Sequence, residues 1–88
     1  MSIPKTPKFT DLQGQYLAFI CAYSLLNDRP PAEADMQRFF RVTPPSVHRM
    51  VIELEKLDLI RRQPGIARSI EVLVDPDEIP RLSPRRPR

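Results

Sequence analysis

Only two residues, Arg41 and Val42, separate a short amphipathic segment ending in Phe39-Phe40 from the run Thr43-Pro44-Pro45-Ser46. That run carries strong signals for the start of a helix. The Thr43 side chain can accept a hydrogen bond from a free first-turn N–H, and Pro44 sits at the first helical position, where a missing donor costs nothing. Val47, Met50, Val51, Leu54 and Leu57 come after it at helical spacing, so one face of the helix is apolar. At about 100° per residue the opposite face holds Pro45, His48, Arg49, Ile52 and Lys56. Two helices joined by so short a turn make a helix-turn-helix. A second helix with an apolar back, a cationic front and small residues at its start has the shape of one that lies in a DNA major groove. An ordinary solvated surface helix would carry the same pattern. The turn itself holds no glycine, so a departure from its usual backbone is expected.

Charge helps to choose between these readings. The formal charge of the 88 residues is +3, but its distribution says more than its total. Residues 38–68 carry +4, whereas 9–37 carry −3 and 69–79 carry −4, and the final stretch 80–88 adds +4. Within the folded body, positive charge is therefore concentrated on the organising helix and on the residues just C-terminal to it, which points to a polyanionic partner.

The length fits one small domain. Residues 1–8, with two prolines and two lysines, are expected to form a flexible arm. Thr10 with Gln13 three residues on is a capping-box pattern, and Phe9 before it is a candidate staple. A helix is predicted over 11–26, with Leu12, Tyr16, Phe19, Ile20, Tyr23 and Leu26 on its core face. Its other side carries a second apolar strip, Leu17, Ala18, Cys21 and Leu25. A terminal tail could cover that strip, or it could lie exposed. It could also form a two-fold interface in which Ala18 and Cys21 allow close helix approach. A short helix is predicted next over 32–40, with Glu33 and Asp35 complementing its dipole and Met36, Phe39 and Phe40 anchoring it.

Asp58 is a candidate left-handed stop for the third helix. Residues 59–63 and 69–74 alternate as strands, and Pro64-Gly65 lies in the loop between them. The expected fold is thus mainly α with a small β-hairpin: a winged helix-turn-helix of three helices plus a two-stranded wing, over 9–74. Residues 75–88 are expected to form a Pro/Arg-rich tail, with Ile79 and Leu82 in loose contact at most and 84–88 disordered.

The order of residues resembles the N-terminal DNA-binding domain of LexA-type repressors. The resemblance rests on the long first helix, Pro30-Pro31, Thr43-Pro44, Leu54, Leu59-Ile60 and Ala67-Arg68-Ser69-Ile70. It implies that the start of the third helix reads bases and that the wing grips backbone. Carried over, base readout falls to Pro45, Ser46, His48, Arg49 and Ile52. Ala32 stands where that family usually has a capping Thr or Ser, and Arg41 and Asp58 stand where it has Gly. The base-reading positions also differ, so no operator sequence carries over. The family's self-cleaving protease domain is not represented, so a stand-alone DNA-binding unit is expected.

Each candidate has a plainer alternative. Arg49 can pair bidentately with guanine O6 and N7, or with Glu53 one turn along. Ser46 can meet a phosphate or help cap the helix, and Thr43 is first a cap. Arg38, Arg41, Thr43, Lys56, Arg61, Arg62 and Arg68 are the backbone candidates; Arg61 and Arg62 point to opposite faces of a strand. One cysteine and one histidine exclude a Cys/His zinc cluster and an internal disulfide. With no Gly-rich phosphate loop and no paired carboxylates, an enzyme is not expected, and neither a cofactor, a metal nor a small-molecule ligand is called for. No apolar run is long enough to cross a membrane. The expected partner is double-stranded DNA, bound by a homodimeric transcriptional repressor in the cytoplasm, at the nucleoid. The alternative is a protein–protein adaptor that uses the outer strip of the first helix.

Overall fold

The computed structural model describes residues 8–84. Its elements are three helices, α1 (Asp11–Asn27), α2 (Glu33–Phe40) and α3 (Pro44–Lys56), then strands β1 (Ile60–Arg61) and β2 (Glu71–Val72) and a 3-10 turn at Pro76–Glu78. The strands pair antiparallel, Ile60 opposite Val72 and Arg61 opposite Glu71. This is the expected winged helix-turn-helix, mainly helical with a small wing. No helix among the described residues is long and apolar enough to cross a membrane.

Local chemistry accounts for where the helices begin and end. At the start of α1 the capping box is complete, Gln13 N–H donating to Thr10 Oγ1 (3.1 Å) and Thr10 N–H to Gln13 Oε1 (2.9 Å). Ala32 cannot cap α2, so Asp35 Oδ2 accepts from the Ala32 N–H at 2.8 Å instead, keeping half of the capping-box logic. The glycine-free turn keeps the usual geometry: Arg41 itself takes the left-handed conformation (φ 56). The Val42 N–H reaches back to the Gln37 carbonyl at 3.3 Å, in Schellman fashion. Asp58 (φ 59) ends α3 as expected. The N–H groups of Asp58 and Leu59 return to the carbonyls of Glu55 and Leu54 at 3.0 Å each. Leu54 and Leu59 are both buried, supplying the apolar contact that accompanies such a stop.

The core is formed where the three helices meet the base of the wing. Leu17, Ile20, Met36, Val47, Val51, Leu54 and Ile60 are all buried to 2% exposure or less. Tyr16 stacks on Phe40 with ring centroids 3.9 Å apart and planes 6° apart, and Phe39 stands edge-on to Phe40 at 4.9 Å. Two residues expected on the core face of α1 lie outside it. Leu12, in the first turn, is 43% exposed, and Leu26, in the last turn beyond its neighbours, is 83% exposed.

The strip on the far side of α1 is not an open face. Leu17 and Ala18 are buried within the chain itself. Ala18, Cys21 and Ala22 share a groove with Pro76, Ile79, Pro80 and Leu82, and both Ile79 and Leu82 pack against the core. The segment expected to hang loosely therefore folds back along α1, through residue 83 at least. The Gln15 side-chain amide explains why: it donates to the Arg81 carbonyl (2.9 Å) and accepts from the Ser83 N–H (2.8 Å), serving an extended backbone as a neighbouring strand would. Of the four interface candidates Leu17 and Ala18 are thus withdrawn, Cys21 is half-buried, and Leu25 remains open at 84% exposure. Of the expected arm over 1–8, residues 1–7 lie outside the described residues, as does the tail beyond 84, and Lys8 pairs with Glu78 at 3.7 Å.

Gly14 permits this return, since a Cβ there would stand 2.9 Å from the Pro80 ring and 3.0 Å from the Phe9 ring. Gly14→Ala should therefore lower stability by about 1 kcal/mol, because the overpacking penalty exceeds the gain in helix propensity. It should also expose the 79–83 segment to proteolysis. Urea titration and limited digestion check both; unchanged protection of that segment would contradict the close packing.

A candidate nucleic-acid interface on the third helix and wing

The outer face of α3 collects the expected base-reading residues. Pro44, Pro45, Ser46, His48, Arg49 and Lys56 are exposed and Ile52 is half-buried, while Val47, Val51 and Leu54 on the opposite side are buried. Thr43 caps the helix, its Oγ1 accepting from the Ser46 N–H at 3.4 Å and lying 3.0 Å from Ser46 Oγ. Arg49 forms no ion pair or side-chain hydrogen bond among the described residues, with Glu53 or any other group. The alternative of an i,i+4 pair is not realised. Arg41 and Lys56 are likewise exposed and unpaired among the described residues.

The other expected contacts are drawn into the protein to different degrees. His48 Nδ1 lies 3.4 Å from Glu33 Oε2, which tethers the ring to the start of α2. Arg38 pairs with Asp35 but leaves its side chain 74% exposed. Arg61 pairs across the strands with Glu71 on an open face. Arg62 turns the other way, as strand alternation requires, and bridges Glu55 Oε1 (3.3 Å) and Glu33 Oε2 (3.5 Å). It therefore joins the wing to both α2 and α3, and its side chain is only 26% exposed.

Arg68 departs furthest from expectation. Its Nη1 donates to Tyr23 Oη (3.1 Å), to the Pro30 carbonyl (3.2 Å) and to Asp35 Oδ2 (3.1 Å), and the guanidinium stands 5.9 Å from the Tyr23 ring centroid. One side chain thus ties the wing to α1, to the loop before α2, and to α2 itself. The backbone goes with it into the left-handed region (φ 57), a strain that the three acceptors offset. Arg68 is thus a structural strap through its Nη1 donors, with its side chain 31% exposed.

Two further residues shape the interface in roles that the sequence did not reveal. Ser69 takes over where the ladder stops: its Oγ accepts from the Gln63 N–H (2.9 Å) and donates towards the Ile66 carbonyl (2.8 Å). It holds a loop whose strands are two residues each. Asp35 is the other, and its only sequence signal was an acid at the third position of a helix. Burial pushes the Asp35 carboxyl pKa up. The Ala32 N–H, the guanidinium groups of Arg68 and Arg38, and Tyr23 outweigh burial and hold it below its ordinary value.

Three helices and a hairpin wing, with the helix after the tight turn facing outward, define a winged helix-turn-helix domain. No protein-family profile matches the chain. It is 33% identical over 72 residues to a LexA repressor of Thermosipho africanus (strain TCF52B), a match covering 82% of this chain and 36% of that protein. It is 38% identical over 66 residues to a LexA repressor of Thermosipho melanesiensis (strain DSM 12029 / CIP 104789 / BI429), over 75% of this chain and 33% of that protein. The chain is thus similar to LexA repressors, the resemblance that the order of its residues implied, and it spans about a third of their length.

Because the folded Asp35 pKa is lowered, its contribution to stability is complete above the unfolded-state value and is lost as pH falls through the folded value. Asp35→Ala should cost about 2–3 kcal/mol at neutral pH, since it leaves the Ala32 N–H and the Arg68 guanidinium short of their acceptor. The deficit should shrink on acidification below roughly pH 4. Melting curves of both proteins across pH 2–7 read this directly; a pH-independent difference would remove the assigned role.

Proposed function

We propose that this chain is a sequence-specific double-stranded DNA-binding domain acting as a transcriptional repressor, with α3 in the major groove and the wing on the backbone. The observation that carries this reading is the outer face of α3. Its apolar back is locked in the core, and Arg49 stands exposed on its front with no intramolecular partner among the described residues. An unpaired guanidinium on a helix held rigidly from behind is positioned for bidentate contact with guanine. Arg41 and Lys56 flank it as cations for phosphates. Relatives named as repressors support the same reading. The protein works by binding and not by catalysis, in the cytoplasm at the nucleoid.

Two copies on a palindromic site would double the few base contacts that one such domain makes. Their contact cannot run through Leu17 or Ala18, but Leu25 and the neighbouring Leu26 stay open, at 84% and 83% exposure. The adaptor reading needed the outer strip of α1, and the chain's own C-terminal segment lies along it.

Selection of bound duplexes from a random pool should enrich a palindrome. On that duplex Arg49→Ala should lower affinity by about 5- to 150-fold and relax preference at one base pair, as expected for 1–3 kcal/mol of readout. Lys56→Ala should weaken all duplexes alike and reduce the slope of log K against log salt by about one. A pool that yields no enriched motif at moderate ionic strength would overturn the proposal.

A further inference from the structure

The first turn of α3 is unusual for a helix that addresses a polyanion. Its first two residues, Pro44 and Pro45, carry no N–H, and the third, Ser46, donates its N–H to Thr43 Oγ1 at 3.4 Å. The Val47 N–H already bonds the Thr43 carbonyl at 3.2 Å. From Pro44 to Val47 no backbone donor is left to meet a phosphate or a base acceptor, which is what a helix N-terminus ordinarily offers. What the turn presents instead, beside the Ser46 hydroxyl, is apolar: both pyrrolidine rings are exposed.

Pro45 lies four residues before Arg49, so the two share a face one turn apart, about 6 Å along the axis. At about 3.4 Å per base step that distance covers roughly two base pairs. In the major groove the apolar group available to such a ring is the C5-methyl of thymine, which distinguishes its base pair without any hydrogen bond.

Resting on the DNA-binding reading above, we propose that Pro45 is a specificity-determining residue whose exposed ring reads the C5-methyl of a thymine within about two base steps of the guanine contacted by Arg49. The recognition helix then divides its work. Its first turn selects by apolar contact and its second by charge-assisted hydrogen bonds. Placing Pro45 after Pro44 has a conformational cost, since the residue before a proline is disfavoured in the helical region. Replacing Pro45 releases that restriction, so a variant at this position is expected to stay folded.

The test uses the full chain and the duplex enriched from the random pool, with each thymine replaced singly by deoxyuridine, which removes the methyl and leaves the hydrogen-bonding edge unchanged. Fluorescence anisotropy should show the wild-type protein weakening about fourfold at one thymine per half-site, the factor equivalent to ~0.8 kcal/mol for one buried methyl-sized group. Pro45→Gly should bind the thymine and uracil duplexes equally, while Arg49→Ala, though weaker overall, should keep the discrimination. Wild-type indifference to uracil at every position would overturn the inference and leave the DNA-binding reading standing. So would full discrimination by Pro45→Gly. Failure to enrich any duplex would overturn both.

Discussion

The fold turns on the contact between Asp35 and Arg68. Asp35 is 7% exposed, and a carboxylate so placed is costly unless it is paired and hydrogen-bonded. Here Oδ2 takes the Ala32 N–H and an Arg68 donor, and Oδ1 takes an Arg38 donor. The same carboxylate thus starts α2, whose N-cap residue has no side chain able to do so, and holds the wing loop just before β2. Since only three residues, Arg41 to Thr43, separate α2 from α3, whatever orients α2 also orients the third helix. Arg62 makes the second tie, from the first strand to Glu33 and Glu55. The wing, whose own ladder is only two residue pairs long, is therefore tied to the helix-turn-helix by side chains.

That arrangement redistributes the positive charge that marked the middle of the chain. Arg62 and Arg68 pair with carboxylates of the helices, Arg38 and Arg61 sit beside carboxylates, and His48 is drawn towards Glu33. Arg41, Arg49 and Lys56 remain exposed and unpaired among the described residues. A face carrying a few free cations amid neutralised ones suits recognition by contacts at fixed positions better than adhesion through bulk charge. The same economy holds at the start of α3, where two prolines and a cap use up the backbone donors and leave an apolar surface.

Much of the fold was legible from the residues because the deciding interactions are local. The Thr10–Gln13 box, the Thr43-Pro44 start and the Asp58 stop each lie within one helical turn of the groups they satisfy, so spacing alone reveals them. The apolar back of α3 comes from the same periodicity, and so does the outward position of Pro45, His48 and Arg49. The turn without glycine was harder to read. The αL conformation of Arg41 has a steric cost that only the packing of the two helices can offset, and no neighbour in sequence reports that packing.

The sequence by itself determined three helices, a hairpin and a helix face turned to solvent, because hydrophobic periodicity and caps act between residues three or four apart. Only the tertiary structure decided which arginines are free and which strip of α1 is closed. Arg68 is 33 residues from Asp35 and 45 from Tyr23, and Gln15 is 66 residues from the Arg81 carbonyl it holds. A guanidinium has the same five donors whether it meets a phosphate or a buried carboxylate, so its identity cannot say which partner it will find. The fold brings the carboxylate within reach, and proximity makes the choice.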